Sequence, residues 1–116
     1  MTSDPQLSIA CDLTTLGSAE RVRRADLAAT IRSNTVRLVE TANGYQLHLR
    51  GDAALARQAE ELVALERRCC RFLTIELRRD ESAGVWVLDV GGADGAKAFI
   101  AAEMGILGAH GNLAGR

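Results

Sequence analysis

The feature that most constrains the fold is the Asn43-Gly44 dipeptide, which separates two short segments of alternating apolar and polar residues. These segments, residues 36–40 and 45–50, both have the period of a half-buried strand. Asn-Gly favours a tight turn whose twist matches that of two antiparallel strands. The dipeptide therefore predicts a β-hairpin, and the rest of the chain must pack on the sheet to which that hairpin belongs.

Hydrophobic periodicity and capping residues predict the remaining elements. In chain order the predictions are a strand at 7–13, a helix to about 32, the hairpin, a helix from 53 to 69 or 70, strands at 72–78 and 85–90, and a helix capped by Asp94 that runs to Met104. The last strand is apolar on both faces except for Asp89, which indicates a central position, and Gly91-Gly92 is predicted to end it.

This β-α-β-β-α-β-β-α order predicts an α+β fold, a two-layer sandwich with its helices on one face of an antiparallel or mixed sheet. Ferredoxin-like or related connectivity is expected. The chain has 116 residues, which suits one domain of about 100–150 residues. We place a single α+β domain at residues 1–104 and a glycine-rich flexible tail at residues 105–116.

Charge and hydropathy exclude several classes of partner. The net charge is −1, so the protein lacks the basic excess of a nucleic-acid binder that depends on phosphate contacts. No run approaches the roughly 18 apolar residues of a membrane span, so no membrane partner is expected. Residues 1–10 do not resemble a secretory signal, and a cytoplasmic location is the expectation.

The three cysteines, Cys11, Cys69 and Cys70, are the unusual chemistry of the chain. In a reducing compartment an odd number of cysteines is expected to be thiols rather than a disulfide framework. Cys11 shares the core face of the predicted first strand, while Cys69 and Cys70 end the second helix near its apolar stripe. Cysteine is also a common buried hydrophobe, so a packing role for each is an alternative.

Glu66 lies in the middle of the apolar face of the same helix, three and four residues before the two cysteines. A carboxylate there is costly unless it is paired, protonated or bound to a cation. Glu66 is therefore a candidate metal ligand, proton acceptor or residue that orients a ligand. The alternative is a salt bridge to an arginine of the first helix, whose exposed face is predicted to carry Arg21, Arg23 and Arg24.

The position of the cysteine pair favours metal binding over nucleophilic catalysis. A helix C-terminus and a neighbouring carboxylate both oppose a free thiolate, whereas a bound cation would offset both. Thiolates are soft ligands, so Hg, As, Cu(I) or Zn would suit Cys11, Cys69, Cys70 and Glu66. A metal role for His48 or His110 is the less favoured interpretation, and no organic cofactor is predicted.

Three segments together resemble a group of small, uncharacterised bacterial proteins. These segments are CDLT at Cys11, ERRCCRF from Glu66 to Phe72, and GGADGAKAF from Gly91 to Phe99, which contain the motifs C-x-L-T, E-R-x-C-C-x-F and G-x-x-G-A-K-x-F. Some members of that group are encoded beside mercury or arsenic resistance functions. The resemblance implies a bacterial protein linked to thiol-reactive metals and supports the same four candidate residues, without implying a reaction.

The leading hypothesis is binding of a soft metal or metalloid through a three-cysteine site, for resistance or metal hand-off. The partner would be a metal ion or a thiol-reactive small molecule, and an uncovered sheet edge would allow a homodimer. One alternative is a thiol-dependent enzyme, an organometallic lyase or reductase, with Asp12 or Glu66 as proton donor. The others are a non-catalytic interaction domain with structural cysteines and a redox sensor that joins Cys11 to Cys69 or Cys70.

Overall fold

The computed structural model describes residues 11–104. Its elements are a 3₁₀ turn at Leu13–Thr15, α1 at Ser18–Ser33, β1 at Thr35–Glu40, β2 at Gly44–Leu49, α2 at Ala53–Cys69, β3 at Leu73–Asp80, β4 at Val85–Gly92 and α3 at Ala96–Glu103. This confirms the predicted hairpin, the two predicted strands that follow the second helix and all three predicted helices, with boundaries shifted by a few residues.

The four strands form one antiparallel sheet in the order β1-β2-β4-β3. The two hairpins lie side by side, so β4 has a partner on each edge, as its apolar sequence predicts. Leu88 of β4 is aligned with Leu47 on one side and with Leu77 on the other. This register places a row of leucines on one face of the sheet, and that face becomes the core.

The three helices cover this apolar face, which confirms the predicted α+β two-layer sandwich. α1 packs against α2, α2 against β3, and α3 against β4 and β2. Leu27 and Ile31 of α1 and Ile100 of α3 are buried with the sheet residues in one hydrophobic core. No helix among residues 11–104 is long and apolar enough to cross a membrane.

The 17-residue α2 carries most of the candidate site. Its first turn is capped by Asp52, whose carboxylate accepts hydrogen bonds from the backbone N–H groups of Ala54 and Leu55 at 3.0 and 3.2 Å. Its apolar stripe is buried along its whole length, down to Glu66 and Cys69 at the other end. A helix fixed at both ends in this way holds its last turn in a defined position against the core.

The predicted strand at residues 7–13 is wrong where the structure describes it. Cys11 and Asp12 have no regular structure, and a 3₁₀ turn follows, because the Asp12 carboxylate accepts a hydrogen bond from the N–H of Thr14 at 3.1 Å. Residues 7–10 of that prediction, and the predicted tail at 105–116, lie outside the described residues. The single-domain boundary at residue 104 stays a prediction.

The predictions for the end of β4 and the start of α3 are also corrected. β4 continues through Gly92, because Gly91 still pairs with Gly44 and Gly92 with Leu73. The residue before α3 is Gly95 rather than Asp94, and it has a left-handed backbone with φ of 93°. Glycine adopts that conformation without steric cost, so the chain turns into α3 without a side-chain cap.

Replacing Asp52 by alanine is expected to lower the free energy of unfolding by about 1 kcal/mol, because two N–H groups at the start of α2 lose their acceptor. Asp52→Asn is the matched control, since an asparagine oxygen accepts the same hydrogen bonds. Urea unfolding of the two variants measures the difference. Equal stability of the alanine and asparagine variants would contradict the capping role.

Candidate functional site

Four candidate ligands predicted from the sequence converge at the C-terminal end of α2. Glu66 and Cys69 belong to its last turn, Cys70 follows it, and Cys11 comes from the segment before α1. Their three sulfurs and one carboxylate oxygen all lie within 4.8 Å of one another. We call these four residues the cysteine cluster. Glu66, Cys69 and Cys70 are buried, and Cys11 is partly buried.

Hydrogen bonds to the end of α2 bring Cys11 into the cluster. The backbone N–H of Asp12 donates to the carbonyl oxygen of Cys69 at 2.6 Å. Arg68 donates to the carbonyl oxygen of Thr15 at 2.9 Å and forms a salt bridge with Glu20 at 2.7 Å. These contacts join both ends of the segment between Cys11 and α1 to the last turn of α2.

Cys11 and Cys70 form a disulfide, and Cys69 is a free thiol. The expectation that all three cysteines would be thiols is therefore corrected. The fold places the Cys11 and Cys70 sulfurs side by side, so oxidation closes that bond without rearranging the chain. The Cys69 sulfur lies 3.5 Å from the Cys70 sulfur, which is contact distance. Direct bonding of two adjacent cysteines would require strained geometry.

Glu66 forms a salt bridge with Arg24 of α1. This confirms the alternative interpretation of Glu66, in which it pairs with an arginine of the first helix. Arg24 Nε lies 2.8 Å from Glu66 Oε2, and Arg24 Nη2 lies 3.4 Å from Glu66 Oε1. The buried Nε–H has no aligned hydrogen-bond acceptor, so the shorter contact is an ion pair with poor hydrogen-bond geometry. The pair is mostly excluded from water, with 18% and 11% of the two side chains exposed.

The placement of Arg24 on an exposed face was wrong, and the sequence contains a signal for its burial. Arg24 precedes Leu27 by three residues and Ile31 by seven, which puts all three on one face of a helix. Leu27 and Ile31 are buried against the core. An arginine on that stripe faces inward and requires a partner, just as Glu66 does on α2.

The Arg24 guanidinium also contacts the disulfide. Its Nη2 lies 3.8 Å from the Cys11 sulfur and 3.9 Å from the Cys70 sulfur. One cationic group therefore touches a carboxylate and two sulfurs at the same time. If the disulfide is reduced, the positive charge is already in place to stabilise a thiolate at either sulfur.

Burial governs proton binding at the other two members of the cluster. Loss of solvation raises the pKa of the Glu66 carboxyl above its usual range, and the attraction of Arg24 only partly offsets this. Burial also raises the pKa of the Cys69 thiol, and the negative charge of Glu66 adds to the effect. Cys69 is therefore a neutral thiol at neutral pH in the disulfide-containing protein.

A cavity of about 280 Å³ lies between the helices and the sheet, next to the cysteine cluster. Its wall is largely apolar and includes Leu62, Leu88 and Phe99. Arg24 and Glu66 form part of the same wall. The buried ion pair thus separates an apolar cavity from the sulfurs, an arrangement that the linear sequence did not reveal.

Neither histidine belongs to the described site. His48 lies on β2, where its ring is 3.3 Å from the side-chain oxygen of Gln46. Among residues 11–104 it is not part of a group with metal-ligand geometry. His110 lies outside the described residues.

Removing the charge of Arg24 is expected to destabilise the fold. An Arg24→Met variant keeps much of the side-chain volume but leaves Glu66 buried without a cation, at a cost of about 3 kcal/mol at neutral pH. The loss should shrink as the pH falls and Glu66 binds a proton. Unfolding of this variant, of Glu66→Gln and of the double variant gives the coupling energy, and additive effects would contradict the pairing.

The thiol of Cys69 is expected to ionise at a higher pH than an unfolded cysteine. Because its folded pKa is raised, the unfolded state loses this proton first. The contribution of the Cys69 thiol to folding stability is fully present below its unfolded-state pKa of about 8.5. It is lost as the pH rises through the folded-state pKa. Ultraviolet thiolate absorbance of the oxidised protein measures this pKa. Cys69→Ala is the control, and an ordinary or lowered pKa would contradict the expectation.

Comparison of the chain with protein-family models, with curated proteins and with solved structures finds no match in any of the three.

Proposed function

We propose that the reduced protein binds one soft metal or metalloid ion through Cys11, Cys69 and Cys70, for resistance or for hand-off to another thiol site. The observation that carries the proposal is the convergence of three sulfurs and the Glu66 carboxylate within 4.8 Å. Three cysteines from two distant parts of the chain meet at this point, which ordinary packing of single cysteines does not require.

The spacing of the donor atoms suits direct coordination. A zinc–sulfur bond of about 2.3 Å places two tetrahedral ligands about 3.8 Å apart, and larger soft ions place them somewhat farther apart. No two donor atoms are more than 4.8 Å apart, and after reduction the Cys11 and Cys70 sulfurs, which are bonded in the structure, must separate to about this ligand–ligand distance. Three thiolates alone suit Hg, As(III) or Cu(I), while Zn would use the Glu66 carboxylate as a fourth ligand.

The charges around the cluster favour a bound cation. Three thiolates and Glu66 would place four negative charges in a buried space that has Arg24 as a direct cationic contact. Such an excess is unstable without a metal, so metal binding and loss of the thiol protons are coupled. Arg24 lowers the cost of ionisation at Cys11 and Cys70, and the bound ion supplies the remaining positive charge.

The Cys11–Cys70 disulfide supports a redox-dependent form of this function. When the bond is closed, two of the three sulfurs are unavailable as thiolates and only Cys69 remains. Metal binding then requires prior reduction of the Cys11–Cys70 bond by an external dithiol. The dithiol is itself oxidised to a disulfide in this exchange. An external disulfide would take up two electrons from Cys11 and Cys70, become two thiolates, re-form the Cys11–Cys70 bond and release the ion.

A second candidate is a thiol-dependent enzyme of the reductase type, which the same disulfide favours. An external disulfide would be reduced to two thiols while Cys11 and Cys70 lose two electrons and two protons and form their bond. The third thiol, Cys69, lies within 4.8 Å of the Cys11 sulfur and would be positioned to replace Cys70 in the bond to Cys11, with Cys70 leaving as a thiolate. The remaining alternative is a non-catalytic interaction domain whose cysteines are structural.

Titration of the fully reduced protein with Hg(II), Cu(I) or Zn(II) should give one ion per chain, with thiolate-to-metal absorption and proton release. Oxidised protein is the matched control and should bind with much lower affinity, because two sulfurs are blocked. A Cys69→Ser, Cys70→Ser double variant leaves one sulfur and should bind at least about 100-fold more weakly, a difference of about 2.7 kcal/mol. Equal affinity of the reduced protein and this variant would refute the proposal.

A further inference from the structure

We propose that the cavity beside the cysteine cluster holds the organic substituent of a thiol-reactive metal or metalloid compound. The preferred ligand class would then be arsenic(III) or mercury(II) bearing one small aryl or alkyl group. This inference rests on the proposed function and specifies its substrate class. It comes from the position, size and lining of the cavity.

The cavity and the sulfurs have a common boundary. Arg24 and Glu66 line the cavity, and Arg24 Nη2 is also 3.8 and 3.9 Å from the sulfurs of Cys11 and Cys70. The guanidinium group of Arg24 therefore lies between the cavity and the two sulfurs. A substituent bonded at the sulfurs enters the cavity past the Arg24 guanidinium, which must turn aside while it stays paired with Glu66.

The size of the cavity suits a small organic group. An apolar cavity of about 150 Å³ is enough to bind benzene, and this one has about 280 Å³. One phenyl ring or a short alkyl chain fits with space to spare. A bare metal ion needs no such space, so the cavity has no role if the ligand is inorganic.

The cavity is lined by apolar residues in its interior and by charged residues at its solvent-facing side. Leu62, Ile75 and Val90 are buried and give an apolar interior. Arg32 and Glu103 also line the cavity and are exposed, which places charged groups at the side open to solvent. A ligand with an apolar group and a soft, thiol-reactive centre matches a site that is apolar inside and has sulfur beyond one wall.

The binding step is balanced without an oxidant or a reductant. An organoarsenic(III) dihydroxide and two cysteine thiols form two As–S bonds, break two As–O bonds and release two molecules of water. Arsenic stays trivalent and keeps its carbon substituent. The product is uncharged, so binding adds no charge to a buried site in which Arg24 and Glu66 already balance each other.

The test compares phenylarsonous acid with arsenous acid as ligands of the reduced protein, and uses a small free dithiol as the reference for intrinsic thiol affinity. The preference of the protein for the phenyl compound should exceed that of the free dithiol by at least about tenfold, as expected for burial of one ring. Filling the cavity with Ala28→Phe should abolish this excess and leave the affinity for arsenous acid unchanged.

Ala29→Phe is the matched control, because Ala29 is the next residue of α1, is exposed and does not line the cavity. Met104→Trp fills the cavity from the other side and serves if Ala28→Phe does not fold. A phenyl preference equal to that of the free dithiol, or unchanged in a folded cavity-filling variant, would overturn the inference while leaving metal binding intact. Failure of the reduced protein to bind either arsenical or any soft ion would instead reject the proposed function.

Discussion

The buried ion pair between Arg24 and Glu66 is the constraint on which the rest of the site depends. Each charge would be costly alone in the core, so α1 and α2 must pack in the one arrangement that brings them together. That arrangement fixes the last turn of α2, which carries Cys69 and precedes Cys70. The same guanidinium contacts both sulfurs of the disulfide, so the helix packing and the sulfur chemistry depend on one side chain.

The scaffold could be predicted from local sequence patterns because its elements are strongly periodic. The Asn43-Gly44 turn and the alternating residues around it predicted the first hairpin, and the stripe from Leu55 to Glu66 predicted α2. The region near Cys11 could not be predicted in the same way. Its alternation resembles a strand, but the Asp12 side chain stabilises a 3₁₀ turn, and hydrogen bonds to α2 decide where the segment lies.

The sequence predicts which residues form the candidate site, but it does not predict the partner of Glu66 or the neighbouring cavity. The position of Glu66 on an apolar face identified a residue that needed a partner, and the adjacent cysteines identified the site as one of thiol chemistry. The partner itself required knowledge of which face of α1 meets α2. The cavity is formed by side chains from three helices and the sheet, so no single stretch of sequence reveals it.

The bond between Cys11 and Cys70 joins residues separated by 59 positions, and the enclosed loop contains α1, the first hairpin and α2. Closing a loop of that length removes about 4 kcal/mol of conformational entropy from the unfolded chain. An ion bridging the same two sulfurs would impose a similar restriction. Metal binding and disulfide formation would therefore each restrict the unfolding of more than half of the described chain. The resistance of the protein to proteolysis would then depend on whether its sulfurs are free, oxidised or bound to an ion.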